Sequence, residues 1–210
     1  MKSRIEKEGN FWNWFAGKYD RFISNTLGGT YKELFLNIRN DLHQTDELIE
    51  IATGTGLITF EICHSVKSIK AMDIAPNMIE IAKQKRADLK ITNIEFEVGD
   101  SYNLSYKNAS FDKVLASNVL HLLYEPEKAM AEIHRVLKPE GKAILPTFCH
   151  GESFKTRAIS RFMSPFGFSA RNKWSQKTYE TFIESCGFKI VKSIKLKGKI
   201  DLVYLVVEKV

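Results

Sequence analysis

The sequence predicts an α/β protein: a doubly wound, mostly parallel sheet, closed by an antiparallel strand pair near the C-terminal end and covered by a helical lid near the N-terminal end. Three observations carry this prediction. Strand-like and helix-like runs alternate from residue 46 to residue 148, as parallel strands joined by crossover helices do. The stretch "DELIEIATGTGLITFEI" leads a strand straight into a glycine-punctuated turn and then a helix. The tail "FKIVKSIKLKGKIDLVYLVVEKV" instead reads as two strands around a turn near Gly198, an antiparallel pair at a sheet edge.

Taken in order, residues 1–45 are expected to form a helical cap. Its segment "FWNWFAGKYDRF" holds six aromatics, Phe11, Trp12, Trp14, Phe15, Tyr19 and Phe22, and stands outside the alternation. Residues 46–150 form the predicted core, with strands over Leu48–Ala52, Ser68–Asp73, Ile94–Val98, Phe111–Ser117 and Lys142–Phe148. Helices are expected over Leu57–Ser65, Pro76–Arg86 and Pro126–Val136, the last two opened by proline, which suits a first helical turn. Residues 151–180 read as an insertion over the substrate, and residues 181–210 as the closing strand pair of the same single domain. Within the insertion, Phe154, Ala158, Ile159, Phe162, Met163 and Phe166 fall at helical spacing, with Lys155, Arg157 and Arg161 on other faces. That is the pattern of a lid helix, and equally of one that rests on an anionic membrane.

With 44% hydrophobic and 27% charged residues, the 210-residue chain has the composition of a globular domain with a sizeable core. No apolar run approaches the roughly 18 residues of a membrane span. The opening "MKSRIEKEGN" lacks the apolar stretch of a secretory signal. Cys63, Cys149 and Cys186 form no CxxC pair, so a reduced, cytoplasmic chain without a disulfide framework or metal site is expected. The charge is uneven: residues 151–210 hold 12 Lys and Arg against 5 Asp and Glu, whereas residues 1–150 hold 19 against 20. The basic excess therefore belongs to the last 60 residues, which is either a solvated face or a face for an anionic partner.

Glu50 poses the main question of the site. It lies inside the first strand, where a doubly covered parallel strand is normally apolar, and a buried carboxylate is costly unless satisfied. Gly54 and Gly56 let the backbone approach a ligand, and two classes of ligand compete for such a loop. A dinucleotide would set its pyrophosphate against the loop amides, for which an acidic neighbour is unsuitable, and the third small position is here Thr59. A cationic ligand would suit Glu50. Asp73 ends the second strand, 17 residues past Gly56, where a carboxylate can accept both hydroxyls of a ribose in either class. Asp100 ends the third strand, where a side chain can meet an adenine amino group.

Together with "FDKVLASNVLHLL" and "LKPEGKAIL", these motifs resemble the class I S-adenosylmethionine-dependent methyltransferases, over roughly residues 10 to 205. Within that family the likeness is greatest to quinone-biosynthesis C-methyltransferases and phospholipid N-methyltransferases, which share a Tyr-Asp pair matched by Tyr19 and Asp20. One departure is that the family's first motif glycine is Ala52, which a negative φ would accommodate. The resemblance implies a Rossmann-like sheet and S-adenosylmethionine as cofactor. Its binding residues would be Tyr19, Glu50, Ala52, Gly54, Gly56, Asp73, Ile74, Met78, Asp100, Ser101, Ser117 and Asn118. Glu50 would lie by the methionyl end and help hold the loop, Asp73 would take the ribose, and Ile74 and Met78 would line the adenine pocket. Each has a plainer alternative: loop capping for Glu50, a helix cap for Asp73, a turn for Asp100, and core packing for Ile74 and Met78.

His121, after the fourth strand, is the candidate catalytic base, and His150 a weaker one; either can instead be a packing residue. Methyl transfer is a displacement at an activated carbon, so alignment and water exclusion matter more than a catalytic constellation. The implied acceptor is a small or lipid-like molecule, with peripheral contact to an anionic membrane as a further expectation. No Asn-Pro-Pro-Tyr motif or RNA-binding motif points to nucleic acid. A nicotinamide-dependent oxidoreductase and a non-catalytic cofactor-binding module are the rival readings.

Overall fold

The computed structural model describes residues 4–149, 170–198 and 201–210, with side chains from Gly9 onward. His150 and the amphipathic stretch 154–166 lie outside the described residues. A long helix, α1 (Arg4–Asn40), precedes the core. It is followed by β1 (Glu47–Ile51), α2 (Leu57–Ile62), β2 (Ser68–Asp73), α3 (Pro76–Asp88), β3 (Ile94–Val98) and β4 (Phe111–Ala116). Then come α4 (Pro126–Val136), β5 (Leu137–Ile144), β6 (Thr147–Phe148), α5 (Gln176–Ser185), β7 (Phe188–Leu196) and β8 (Leu202–Lys209). Among the described residues the sheet has eight strands in the order β3-β2-β1-β4-β5-β8-β6, with β7 paired to β8. β1 to β5 run parallel, and β8 is antiparallel to β5, β6 and β7.

Strand alternation divides the core into two layers. Leu48, Ile69, Phe96 and Leu115 face α1 and α2, where Ile23, Leu27, Tyr31, Leu34 and Ile38 form the buried stripe of α1. Ile49, Ile51, Val114 and Ala116 face the other way, onto Met130 and Ile133 of α4 and Tyr179 and Ile183 of α5. Glu50 shares the α1–α2 face with Leu48 and is 2% exposed. The strand order reverses between β1 and β4, and the crevice outside the strand ends at such a point is where open α/β sheets take ligands.

Two elements differ from expectation. The predicted strand Lys142–Phe148 begins earlier, at Leu137, and is split into β5 and β6 around Leu145 and Pro146. Proline has no N–H for the ladder, and the Pro146 carbonyl instead accepts from Asn118 N–H at 2.8 Å. The predicted helix Leu57–Ser65 is α-helical only to Ile62 and tightens into a 3₁₀ turn over Cys63–Ser65.

Candidate functional site

A cavity of about 300 Å³ opens at the ends of β1, β2 and β4 beneath α1. Its wall brings together Tyr19, Ala52, Gly54, Asp73, Ile74, Met78, Ser101, Ser117 and Asn118 of the residues expected from the sequence. Glu50, Gly56, Asp100 and His121 are not on that wall. Of the aromatic run, Phe11 and Trp12 join Tyr19 in roofing the cavity.

The loop after β1 turns through left-handed backbone at Ala52 (φ 57°), Gly54 (φ 59°) and Gly56 (φ 80°). Ala52 therefore does not have the negative φ that would have made it an easy replacement for glycine. A Cβ in this region costs roughly 1–2 kcal/mol, a strain carried by the surrounding loop bonds. Ala52→Gly is accordingly expected to stabilise the protein by about 1 kcal/mol, seen as a higher denaturant midpoint at unchanged slope. Gly56 is required sterically as well: a Cβ there would lie 2.7 Å from the Phe60 ring and 3.1 Å from the Phe96 ring.

The loop amides are largely used internally. Thr53 N–H donates to the Met72 carbonyl at 2.9 Å and Gly56 N–H to the Thr53 carbonyl at 3.1 Å. Gly54 N–H donates to Asp73 Oδ2 at 2.9 Å, while Asp73 Oδ1 accepts from Ala75 N–H at 2.9 Å. Glu50 Oε2 accepts from the hydroxyls of Thr53, at 3.1 Å, and Thr59. The buried strand carboxylate is thus satisfied by two hydroxyls, one of them from the position where a dinucleotide loop would carry a small residue. Burial pushes the Glu50 carboxyl up to about 7 despite these bonds, with the Asp73 charge adding to the rise. Burial likewise pushes Asp73 up to about 6, against the pull of its amide donors. Two carboxyl groups under a loop whose amides face inward repel a pyrophosphate and favour a cation.

A second chain of polar groups crosses the roof. Burial pushes the Tyr19 and Tyr31 phenols above their ordinary range. Asn118 Nδ2 donates to the Tyr31 hydroxyl at 3.3 Å, and Asn118 itself has φ 54°. Its Oδ1 is buried without a hydrogen-bond partner among the described residues. Leaving such an acceptor unsatisfied costs about 1–3 kcal/mol, so this wall fits a ligand that brings an N–H or O–H donor. Asp20, beside Tyr19, bonds the Thr55 hydroxyl and the Lys85 ammonium, and Lys85 also donates to the Thr55 carbonyl at 3.1 Å. Helix α1 is thereby tied to the glycine loop.

Asp100 Oδ1 accepts from Tyr102 N–H at 3.0 Å in the turn after β3, and its neighbours Gly99 and Ser101 are on the wall. His121 is buried in a 3₁₀ turn, Leu120–Leu122, with Nδ1 3.0 Å from Thr147 Oγ1. Residues on the wall that sequence reasoning missed are Ile51, Met72, Gly99, Val119, Leu122, Leu123 and Arg171. Arg171 carries no motif; it reaches the wall because its N–H and that of Asn172 donate to the His121 carbonyl at 2.9 and 3.1 Å.

Residues 49–145 match a family described as a methyltransferase domain. Demethylmenaquinone methyltransferase of Renibacterium salmoninarum is 34% identical over 103 residues, which are 49% of this chain and 41% of that protein. The chain thus spans less than half the length of that relative. The ubiquinone/menaquinone biosynthesis C-methyltransferase of Citrifermentans bemidjiense is 29% identical over 187 residues, covering 78% of this chain and 79% of that protein. Among solved structures, a SAM-dependent methyltransferase from Thermotoga maritima shares the fold, with a TM-score of 0.71 at 20% identity over 96% of this chain and 99% of the other. Residues 49–145 thus carry a methyltransferase domain, on a fold shared with solved methyltransferase structures.

Proposed function

We propose that the chain transfers a methyl group from S-adenosylmethionine to a small, apolar, ring-bearing or lipid-like acceptor. The observation that carries the reading is the inward use of the glycine-loop amides over Glu50 and Asp73. A nicotinamide dinucleotide would need those amides for its pyrophosphate, whereas S-adenosylmethionine carries an ammonium and a sulfonium. When bound, that cofactor supplies a methyl carbon already activated by positively charged sulfur.

The remaining work falls to the protein. Asp73 would hold the ribose hydroxyls while keeping the loop in place, Ile74 and Met78 would flank the adenine, and Asn118 Oδ1 would accept from the methionyl ammonium or the acceptor. Glu50 acts from below, as loop support and as a negative charge under the cationic ligand. Val119, Leu122 and Leu123 with Phe11 and Trp12 exclude water from the line of displacement. His121 lies off the wall and would fix the turn after β4 rather than move a proton. The relatives named for quinone methylation support an apolar ring as acceptor. Their chemistry and the basic excess of residues 151–210 also support a cytoplasmic protein that contacts an anionic membrane peripherally.

The direct test is turnover. Incubation with S-adenosylmethionine and a panel of reduced naphthoquinones should release S-adenosylhomocysteine in step with acceptor. Cofactor binding without turnover on any acceptor would leave a non-catalytic module as the better reading.

Because Phe11, Trp12 and Tyr19 roof the cavity, ligand should order this part of α1. Hydrogen exchange over residues 10–25 is expected to slow when S-adenosylhomocysteine is added. Equal protection with and without it would remove the lid role.

A further inference from the structure

We propose that Arg171 is an acceptor-side anion clamp: it pairs with an ionised oxygen on the apolar methyl acceptor and so selects acceptors bearing an acidic phenol, enol or carboxyl group. The proposal rests on the methyltransferase reading above and adds to it a chemical class of substrate.

Among the described residues Arg171 is the cationic side chain on the cavity wall, and Val119, Leu122 and Leu123 on that wall are apolar. Its backbone is fixed by the two amide bonds to the His121 carbonyl, and Asn172 Nδ2 adds a bond to the Leu123 carbonyl at 2.9 Å. The guanidinium lies over the Tyr124 ring, 3.4 Å from its centroid, and donates to the Tyr124 hydroxyl. Stacking sets the plane of the fork, and a neutral phenol takes one of its five N–H donors without neutralising the charge. Among the described residues no carboxylate forms an ion pair with Arg171. A cation so held, at the rim of an apolar wall, is prepared for an anion that arrives with the ligand.

Topology indicates which ligand brings it. Asp73, Ile74, Met78 and Ser101 stand at the ends of β2 and β3 or just beyond, on one side of β1. Arg171 is docked on the turn after β4, on the other side of the strand-order reversal. The carboxylate half suits the cationic cofactor, and the guanidinium half is left for the acceptor. An ionised oxygen paired with Arg171 is also held in its deprotonated, electron-rich form, which is what a carbon or oxygen nucleophile on such a ring needs.

The test compares naphthalene-2-carboxylate with naphthalene-2-carboxamide, a matched anionic and neutral pair, binding to the full chain saturated with S-adenosylhomocysteine. Because the guanidinium is exposed and screened, the wild type should prefer the carboxylate by on the order of tenfold. Arg171→Gln should abolish the preference, Arg171→Lys should restore part of it, and S-adenosylhomocysteine affinity should change less than about twofold. A preference that survives in Arg171→Gln, or no preference or binding in the wild type, overturns the proposal. A tenfold loss of S-adenosylhomocysteine affinity in Arg171→Gln overturns it too, since the guanidinium would then hold the cofactor's own carboxylate. If the wild type fails to bind S-adenosylhomocysteine, the methyltransferase reading fails, and the naphthyl pair titrated alone still decides on Arg171.

Discussion

Asp73→Ala is expected to weaken S-adenosylmethionine binding by about 1–3 kcal/mol, or roughly 5- to 150-fold in dissociation constant. One carboxylate serves two purposes at the end of β2. Its oxygens fix the Gly54 and Ala75 amides, and it faces the cavity where a ribose would present its hydroxyls. Alanine leaves two amides to find other partners and removes the proposed ribose acceptor. Titration calorimetry on a variant of confirmed fold measures the loss. Binding equal to that of the parent would show that the ribose is held elsewhere.

Ligand-free stability is expected to fall as pH rises from about 4.5 to about 7, because of Glu50. Its folded-state carboxyl titrates at about 7, against 4.5 for an unperturbed one, so the folded state holds a proton that the unfolded chain has already released. The stabilising contribution is complete below the unfolded value and lost as pH passes the folded one; at 1.4 kcal/mol per unit it is about 3 kcal/mol. Asp73 acts in the same direction between 3.8 and about 6. Carboxylates held low by a neighbouring cation, such as Glu95 beside Lys70 and Glu132 beside Arg135, lose their stabilising contribution at more acid pH and leave this window clear. Glu50→Gln removes the titration, so the variant should gain on the parent in thermal midpoint between pH 5 and pH 8, while binding the cationic cofactor less well. A constant difference between the two proteins across that range would mean that Glu50 is not buried as a carboxyl.

Strands β1 to β4 were legible to within about a residue because each is a short run with apolar residues at its inward positions, bounded by turn residues or a strand-end acid; β1, β2 and β4 are largely buried, while the edge strand β3 alternates buried Ile94 and Phe96 with exposed or half-buried acids. The start of β5 was not, because "LKPEGK" carries the Pro and Gly of a turn yet is drawn into the sheet opposite Phe111. Asp73 and Gly54 could be read from their places at strand ends, which the topology turns into cavity wall. Glu50 announced itself as a problem, but its solution needed Thr59, which the first turns of α2 bring beneath the loop. The left-handed backbone of Ala52 and the position of Arg171 were not readable at all. The first follows from how the loop bonds close, and the second from hydrogen bonds to the carbonyl of a residue 50 positions earlier.

The central claim is that a loop with inward-turned amides above two buried carboxyl groups selects a cationic sulfonium cofactor over a pyrophosphate. Calorimetric titration of the same preparation with S-adenosylmethionine and with NAD+ tests this directly. The account predicts saturable binding of S-adenosylmethionine at one site per chain and no heat of binding for NAD+. Saturable binding of NAD+ with none for S-adenosylmethionine would contradict it.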